Sequence, residues 1–212
     1  MNTANTREPR TSYRHRDLRQ ALLDTGIARA TEGGPDAVIL REATRRARVS
    51  PNAAYHHFAD RLELLQAVSA TAQGLVADAL ESLVASVGSG DAASVARAGL
   101  RAVGSAYLEF ARERPGIFRV AFGVPDDLGA SGNPAKAGTA VRTPCQILGA
   151  ALDPLVSAGV LPSERRPNAE FLAWSAVHGL GMRVVDGPLR GLEDSMVEGV
   201  TERLLDMVER GL

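Results

Sequence analysis

The chain has 212 residues, 45% hydrophobic and only 4% aromatic, with one cysteine, Cys145, and a formal net charge of −1. That length buries a core without staples, and the lone cysteine excludes an internal disulfide framework or a multi-cysteine zinc site and fits a reducing compartment. Near-neutrality argues against a uniformly basic nucleic-acid binder, yet residues 1–60 hold ten Arg against seven Asp or Glu, and three of the four His, so one end is suited to meeting an anion.

Residues 1–12 lack periodicity and are expected to form a disordered arm. From Arg14 a first helix carries Leu22, Leu23, Gly26, Ile27 and Ala30 on one stripe and stops at "EGGP". "LREATRRA", residues 40–47, predicts a short second helix. Ser50 then caps a third, "PNAAYHHF", with Pro51 at the position where its missing N–H costs nothing. Asp60 opens a long fourth helix striped by Leu65, Val68, Ala72, Val76, Ala79 and Leu83, about 27 residues or roughly 40 Å, a strut. Asp91 caps a fifth, with Val95, Ala102, Ala106 and Phe110 on its stripe. "PGIFRVAF" reads as a short sixth, followed by a loop, residues 123–138, rich in Gly, Pro and Asp and expected to be mobile. A seventh helix over about 138–158 contains Pro144 and Pro154, so it is kinked or starts late. An eighth is expected from Pro167 to Val185 and a ninth from Asp194 to Arg210. No strand-like alternation survives, so the fold class is all-α.

Two short helices joined by about three residues, the second opened by Ser-Pro, form a helix-turn-helix. In that arrangement the second helix presents its N-terminal residues to the major groove of DNA. Ser50 and the open N–H groups of the first turn suit phosphate. Thr44, Arg45, Arg46 and Arg48 gather at the end of the preceding helix and the turn, the arginines adding salt-dependent attraction. Asn52 and Ala53 stand where base edges would be met, Asn suiting adenine and a methyl suiting thymine. Tyr55, His56 and Arg61 can donate to flanking phosphates, while His57 and Phe58 are expected to pack inward. A solvated surface is the plain alternative for the arginine clusters, including Arg14, Arg16 and Arg19.

Residues 14–68 resemble the DNA-binding domain of TetR-type transcriptional regulators. The resemblance rests on a first helix ending at Gly33, a helix-turn-helix closing in "YHHF", and Asp60-Arg61 opening the long helix. Three positions depart from the family pattern. Arg48 replaces the turn glycine, implying a strained backbone worth on the order of 1 kcal/mol or a different turn. Ala43-Thr44 replaces Ile-Ala, and Ile39 replaces a Ser or Thr cap. Further along, "AWSAVHGLGM" and "PGIFRVAF" resemble a class of TetR-type C-terminal domain marked by a Trp and a downstream His-Gly, here Trp174, His178 and Gly179.

Trp174 and His178 lie four apart on one helix face, so inside the bundle they offer a pocket a stacking surface and a polar group, with Tyr107, Phe118, Phe122 and Met182 as further wall. Ordinary core packing is the bland alternative. The resemblance implies a nine-helix architecture: a DNA-binding domain at 13–60, an effector-binding and dimerisation domain at 61–212, and a homodimer formed through the last two helices. Ser175, Ala176, Gly179 and Gly181 keep the eighth thin, and Met196, Val197, Val200, Leu204 and Val208 stripe the ninth.

The expected function is a sequence-specific regulator, a repressor released from its operator by a small apolar effector. A regulator answering a protein partner, or no ligand, is the alternative. No nucleophile elbow, HExxH, Walker loop or nucleotide fingerprint occurs, so no enzyme is expected, nor a cofactor. Adjacent His56 and His57 point about 100° apart on a helix and do not share a metal readily, so no metal is expected. With no apolar signal core and no run of about 18 apolar residues, no membrane partner is expected and the cytoplasm is the expected location.

Overall fold

The computed structural model describes the backbone of residues 10–125 and 133–212, with side chains from Leu18 onward. The first nine residues of the expected arm, the central part of the 123–138 loop, and the side chains of Arg14 and Arg16 lie outside it. Among the described residues there is no strand and there are nine α-helices: α1 (Arg10–Gly33), α2 (Leu40–Ala47), α3 (Pro51–Tyr55), α4 (Arg61–Ala85), α5 (Ala92–Glu113), α6 (Pro115–Gly123), α7 (Pro144–Ser157), α8 (Ala169–Val185) and α9 (Asp194–Gly211). Helix α1 begins at Arg10, inside the stretch expected to be an arm.

Caps decide most boundaries. Ser50 Oγ accepts the Ala53 N–H at 3.2 Å, and the Asp60 and Asp91 carboxylates accept the N–H groups of Glu63 and Ser94 at 2.9 and 3.0 Å. These satisfy donors that each first turn leaves open. Helix α2 has no such cap, since Ile39 offers no side-chain acceptor. Helix α7 starts late, at Pro144, because Thr143 and Gln146 close a reciprocal capping box there. The preceding residues are held instead by α4: Thr139 donates to Asp78 and Arg142 to Glu81. Pro154 lies within α7.

The α2–α3 turn contains the backbone strain the sequence implies. Arg48 adopts φ 56° and ψ 39°, the left-handed region, with its N–H directed to the carbonyls of Arg45 and Thr44. Around this turn the first three helices close on one buried ring, Phe58, which shares a core with Leu22 and Leu64. Helix α1 lies so close to α4 that a Cβ on Gly26 would come within 2.5 Å of Val68 Cγ2. Helix α4 then runs on to pack against α5, α6 and α7.

Arg48→Gly should stabilise the fold by about 1 kcal/mol, the penalty for an L-residue in this conformation. A higher urea midpoint with an unchanged slope is the expected reading; an unchanged or lower midpoint contradicts the strain argument.

Candidate functional site

Helix α3 is one turn and a half, ending at Tyr55, so His56 and His57 lie in the turn that follows rather than on a two-turn helix. Its burial pattern leaves one side open: Ser50, Asn52, Tyr55 and His56 are exposed, Ala53 is half-buried, and Ala54 is buried against the core. Phe58 packs inward, as expected, and the Arg19 guanidinium lies 5.1 Å above its ring, an attractive cation–ring placement. Arg48 is exposed at the turn beside this open side.

The neighbouring arginines are not bare. Arg45 pairs with Glu42 at 2.7 Å, and Arg46 bridges Glu42 at 3.1 Å and Glu32 at 3.0 Å; Glu32 also pairs with Arg29. Hydrogen bonds from Arg45 and then Arg46 pull the Glu42 carboxyl down to about 2, and those from Arg46 lower Glu32. Both carboxylates therefore stay ionised at any ordinary pH.

Two residues expected at the DNA face are placed elsewhere. Thr44 is only 4% exposed and its hydroxyl donates to the Arg41 carbonyl at 2.7 Å, so it belongs to the α2 packing face. Arg61 donates through Nε to Val38 O at 2.8 Å and through Nη2 to Pro35 O at 2.6 Å. Its guanidinium thus braces the 3₁₀ turn Gly34–Ala37 against the start of α4.

The second feature is a cavity of about 490 Å³ enclosed by α4 to α9. Trp174 and His178, four apart on α8, line it, as do Tyr107 of α5 and Phe122 of α6. Phe118 and Met182 do not. Phe118 is fully buried one layer behind, its ring 5.3 Å from Tyr107 and 5.2 Å from Phe122, and Met182 packs into the main core. Among the lining groups, Trp174 Nε1 donates to Tyr107 Oη at 3.3 Å, and Tyr107 Oη meets His178 Nδ1 at 2.9 Å. Burial pushes the Tyr107 hydroxyl pKa strongly upward and the His178 imidazole downward, so both are neutral in this setting.

The sequence reading missed the charged groups on the cavity wall. Arg101 is engaged with Asp206 at 2.6 Å and with Glu202, and Glu170 with Arg166 at 2.8 Å. Lys136, inside the loop expected to be mobile, is only 6% exposed. The i,i+4 spacing of Arg166 and Glu170 was a usable signal; nothing in the local pattern marks Lys136.

Helix α6 joins the cavity to helices α1–α3, the expected reading head. Its Phe122 faces the cavity, while a Cβ at Gly116 would overlap the Ala30 carbonyl oxygen and crowd that of Thr31 at 2.8 Å. The Ala121 carbonyl, left open at the end of α6, accepts from Ser69 at 3.2 Å and Gln73 at 3.0 Å on α4. Among the described residues no cluster of His, Cys, Asp or Glu is placed to hold a metal ion, and no helix is long and apolar enough to cross a membrane.

Comparison with known proteins places both features in one family frame. The family described as "Bacterial regulatory proteins, tetR family" matches residues 22–68, and "Tetracyclin repressor-like, C-terminal domain" matches residues 100–208. Comparison with curated proteins finds no match. Among solved structures, a protein of unknown function from Rhodococcus sp. RHA1 is 24% identical with a TM-score of 0.68, covering 100% of this chain and 99% of its own. A TetR-family transcriptional regulator from Pectobacterium atrosepticum is 19% identical with a TM-score of 0.65, covering 97% and 96%. RolR, solved with resorcinol bound, is 19% identical with a TM-score of 0.56, covering 92% and 89%.

Because its folded-state pKa lies below that of an unfolded histidine, His178 contributes stability that is fully present above about pH 6.5 and is lost as pH falls through the lowered value. Tyr107 is the titratable group directly against it; Arg101, Lys136 and Glu170 lie on the same cavity wall. The melting temperature should fall between pH 7.5 and 5.5, and fall less in His178→Gln. Equal losses in both proteins would contradict a neutral, half-buried His178.

Proposed function

Since the chain belongs to the TetR family of bacterial regulatory proteins, DNA-binding regulators of transcription, we propose that it acts as a homodimeric repressor released from its operator by a small, largely apolar effector. The observation that carries this reading is the continuity of one short helix: α6 borders the cavity at Phe122 and abuts the reading head at Gly116.

The open side of α3 supplies the DNA contacts. Asn52 reads a base edge, Ala53 packs beside it, and Ser50, Tyr55 and His56 hold flanking phosphates. Arg45, Arg46 and Arg48 supply positive charge, and the first two exchange their carboxylate partners for phosphate on binding. Thr44 and Arg61 have no place in this contact set. The unmatched apolar face of α8 and α9 supports the dimer. Leu172, Met196, Val200 and Met207 are exposed, and at Gly179 and Gly199 a Cβ would meet nothing within 4 Å. Two-fold pairing there sets two heads about one DNA turn apart, roughly 34–36 Å.

Ligand release follows from α6. A molecule that displaces Phe122 moves a helix whose glycine is in contact with α1 and whose last carbonyl is tied to α4. The switch works only if the effector binds the released arrangement more tightly, about 10⁴-fold for a near-complete response. RolR, a protein of similar fold solved with the small molecule resorcinol, lends support to a small-molecule effector.

Asn52→Ala should weaken operator binding by about 1–3 kcal/mol and relax selection at one base pair, whereas Arg45→Ala should weaken all sequences alike and reduce the salt slope by about 1. Titration of promoter DNA at two salt concentrations checks both, and indifference to either change defeats the reading-head assignment. A hit from a thermal-shift screen should dissociate the complex; a ligand that binds free and DNA-bound protein equally contradicts release. Gly116→Ala, whose Cβ would overlap the Ala30 carbonyl oxygen, should force α6 away from α1 and weaken operator binding without any ligand.

A further inference from the structure

The hydrogen bonds on the cavity wall have a direction. An indole N–H only donates, so Trp174 Nε1 gives its hydrogen to Tyr107 Oη. Tyr107 is 4% exposed, and its Oη meets His178 Nδ1 at 2.9 Å. A hydroxyl oxygen can accept twice, but only with Nδ1 as the acceptor does this contact give the buried hydroxyl hydrogen a partner, and a neutral imidazole that accepts at Nδ1 carries its hydrogen on Nε2. The arrangement favours that tautomer.

That Nε2–H has no hydrogen-bond partner among the described residues, yet it is not sealed away: the buried side-chain polar atom without a hydrogen-bond partner is Glu81 Oε1. His178 lines the cavity, so its unmatched donor is reachable from within it. The other strong groups nearby are committed. Trp174 Nε1 and the Tyr107 hydrogen belong to the relay, Arg101 is held by Asp206 and Glu202, Glu170 by Arg166, and Lys136 is engaged as well. The remaining wall is mainly apolar, with the Phe122 and Trp174 rings 6.2 Å apart and the His178 ring 5.5 and 5.6 Å from them, each pair inclined by 44–67°.

Resting on the reading of this cavity as an effector site, we infer that its ligand is an uncharged, mainly apolar molecule that presents a hydrogen-bond acceptor, such as a ketone or ester oxygen, to His178 Nε2–H. A hydrocarbon of the same shape leaves the donor unsatisfied once water is expelled. A molecule offering only a donor finds no matching acceptor on His178. A carboxylate meets a neutral imidazole in an apolar chamber and loses more hydration than the site returns.

The test uses the full-length protein, long-range ¹⁵N–¹H NMR of the four histidines, and calorimetry with three naphthyl probes of similar shape: 2-acetylnaphthalene, 2-isopropylnaphthalene and 2-naphthoate. At pH 7.5 His178 should show the Nε2–H tautomer, identified by the signal lost in His178→Phe. The ketone should bind roughly two- to tenfold more tightly than the hydrocarbon, as expected of one net hydrogen bond, and more tightly than the carboxylate.

That preference should vanish in His178→Phe and in the double variant Tyr107→Phe/His178→Phe, which leaves no orphaned hydroxyl. An Nδ1–H tautomer or an imidazolium overturns the inference and leaves the effector site standing. So does binding of all three probes without preference, or tightest binding of the naphthoate. Failure of every probe to bind at millimolar concentration overturns the effector-site reading along with it.

Discussion

The tightest link between the two ends of this molecule is a contact with no room in it, the approach of Gly116 on α6 to the carbonyls of Ala30 and Thr31 on α1. Where a glycine faces backbone carbonyls, there is no flexible side chain to absorb a displacement. A shift of α6 is therefore passed on or resisted, and is not dissipated. The Ala121 carbonyl, shared by Ser69 and Gln73, ties the other end of the same nine-residue helix to α4. The long helix expected from the sequence to act as a strut is thus one of two rigid connections. The shorter one touches both the cavity and the head.

The reading head is held together by unequal means. Phe58 and its apolar neighbours supply a small core, the Ser50 and Asp60 caps fix where α3 begins and where α4 follows, and Arg61 ties two carbonyls of the Gly34–Ala37 turn to α4. Against these, Arg48 holds a left-handed backbone where a glycine would be relaxed. The exposed arginines add little to the fold itself, since surface ion pairs of this kind contribute about 0–1 kcal/mol. Their pairing with Glu32 and Glu42 matters for affinity instead. Under the proposed DNA contact, a phosphate must compete with a carboxylate already in place, which would lower the nonspecific electrostatic attraction and throw more of the discrimination onto the side chains of α3.

How much of this was legible in the sequence depended on whether the deciding interaction was local. Caps are local, so Ser50, Asp60 and Asp91 announced their helices, and the i,i+4 pair Trp174 and His178 announced one wall of the cavity. Thr44 and Arg61 were misplaced because residue type alone does not say which way a side chain faces; a threonine on a short amphipathic helix and an arginine beside a capping aspartate look equally free in one dimension. Phe118 and Met182 lie one layer and one turn beyond the cavity, a distinction set by how α6 seats against α5 and α8. The late start of α7 was one of the two outcomes that Pro144 implied and is set by the local Thr143–Gln146 capping box, whereas the ties of Thr139 and Arg142 to α4 had no local signal. Lys136 gave no signal, because its burial is a property of the neighbours that fold over it.

Helix α8 has two tasks that bear on each other. One side carries Trp174 and His178 to the cavity, and the adjoining side, through Leu172 and the open backbone at Gly179, faces outward as the proposed subunit contact. Trp174 remains 38% exposed, so it stands at the border between the two. Under the dimeric reading, a ligand that reorients Trp174 alters the edge of the subunit contact as well as the cavity wall. The spacing of the two heads then responds to the effector by two routes at once, through α6 within each subunit and through α8 between them. The Trp174–Tyr107–His178 relay limits the first step of both, because any ligand that rotates the indole must also break its hydrogen bond to Tyr107, and Tyr107 is on α5, which packs against both α6 and α9.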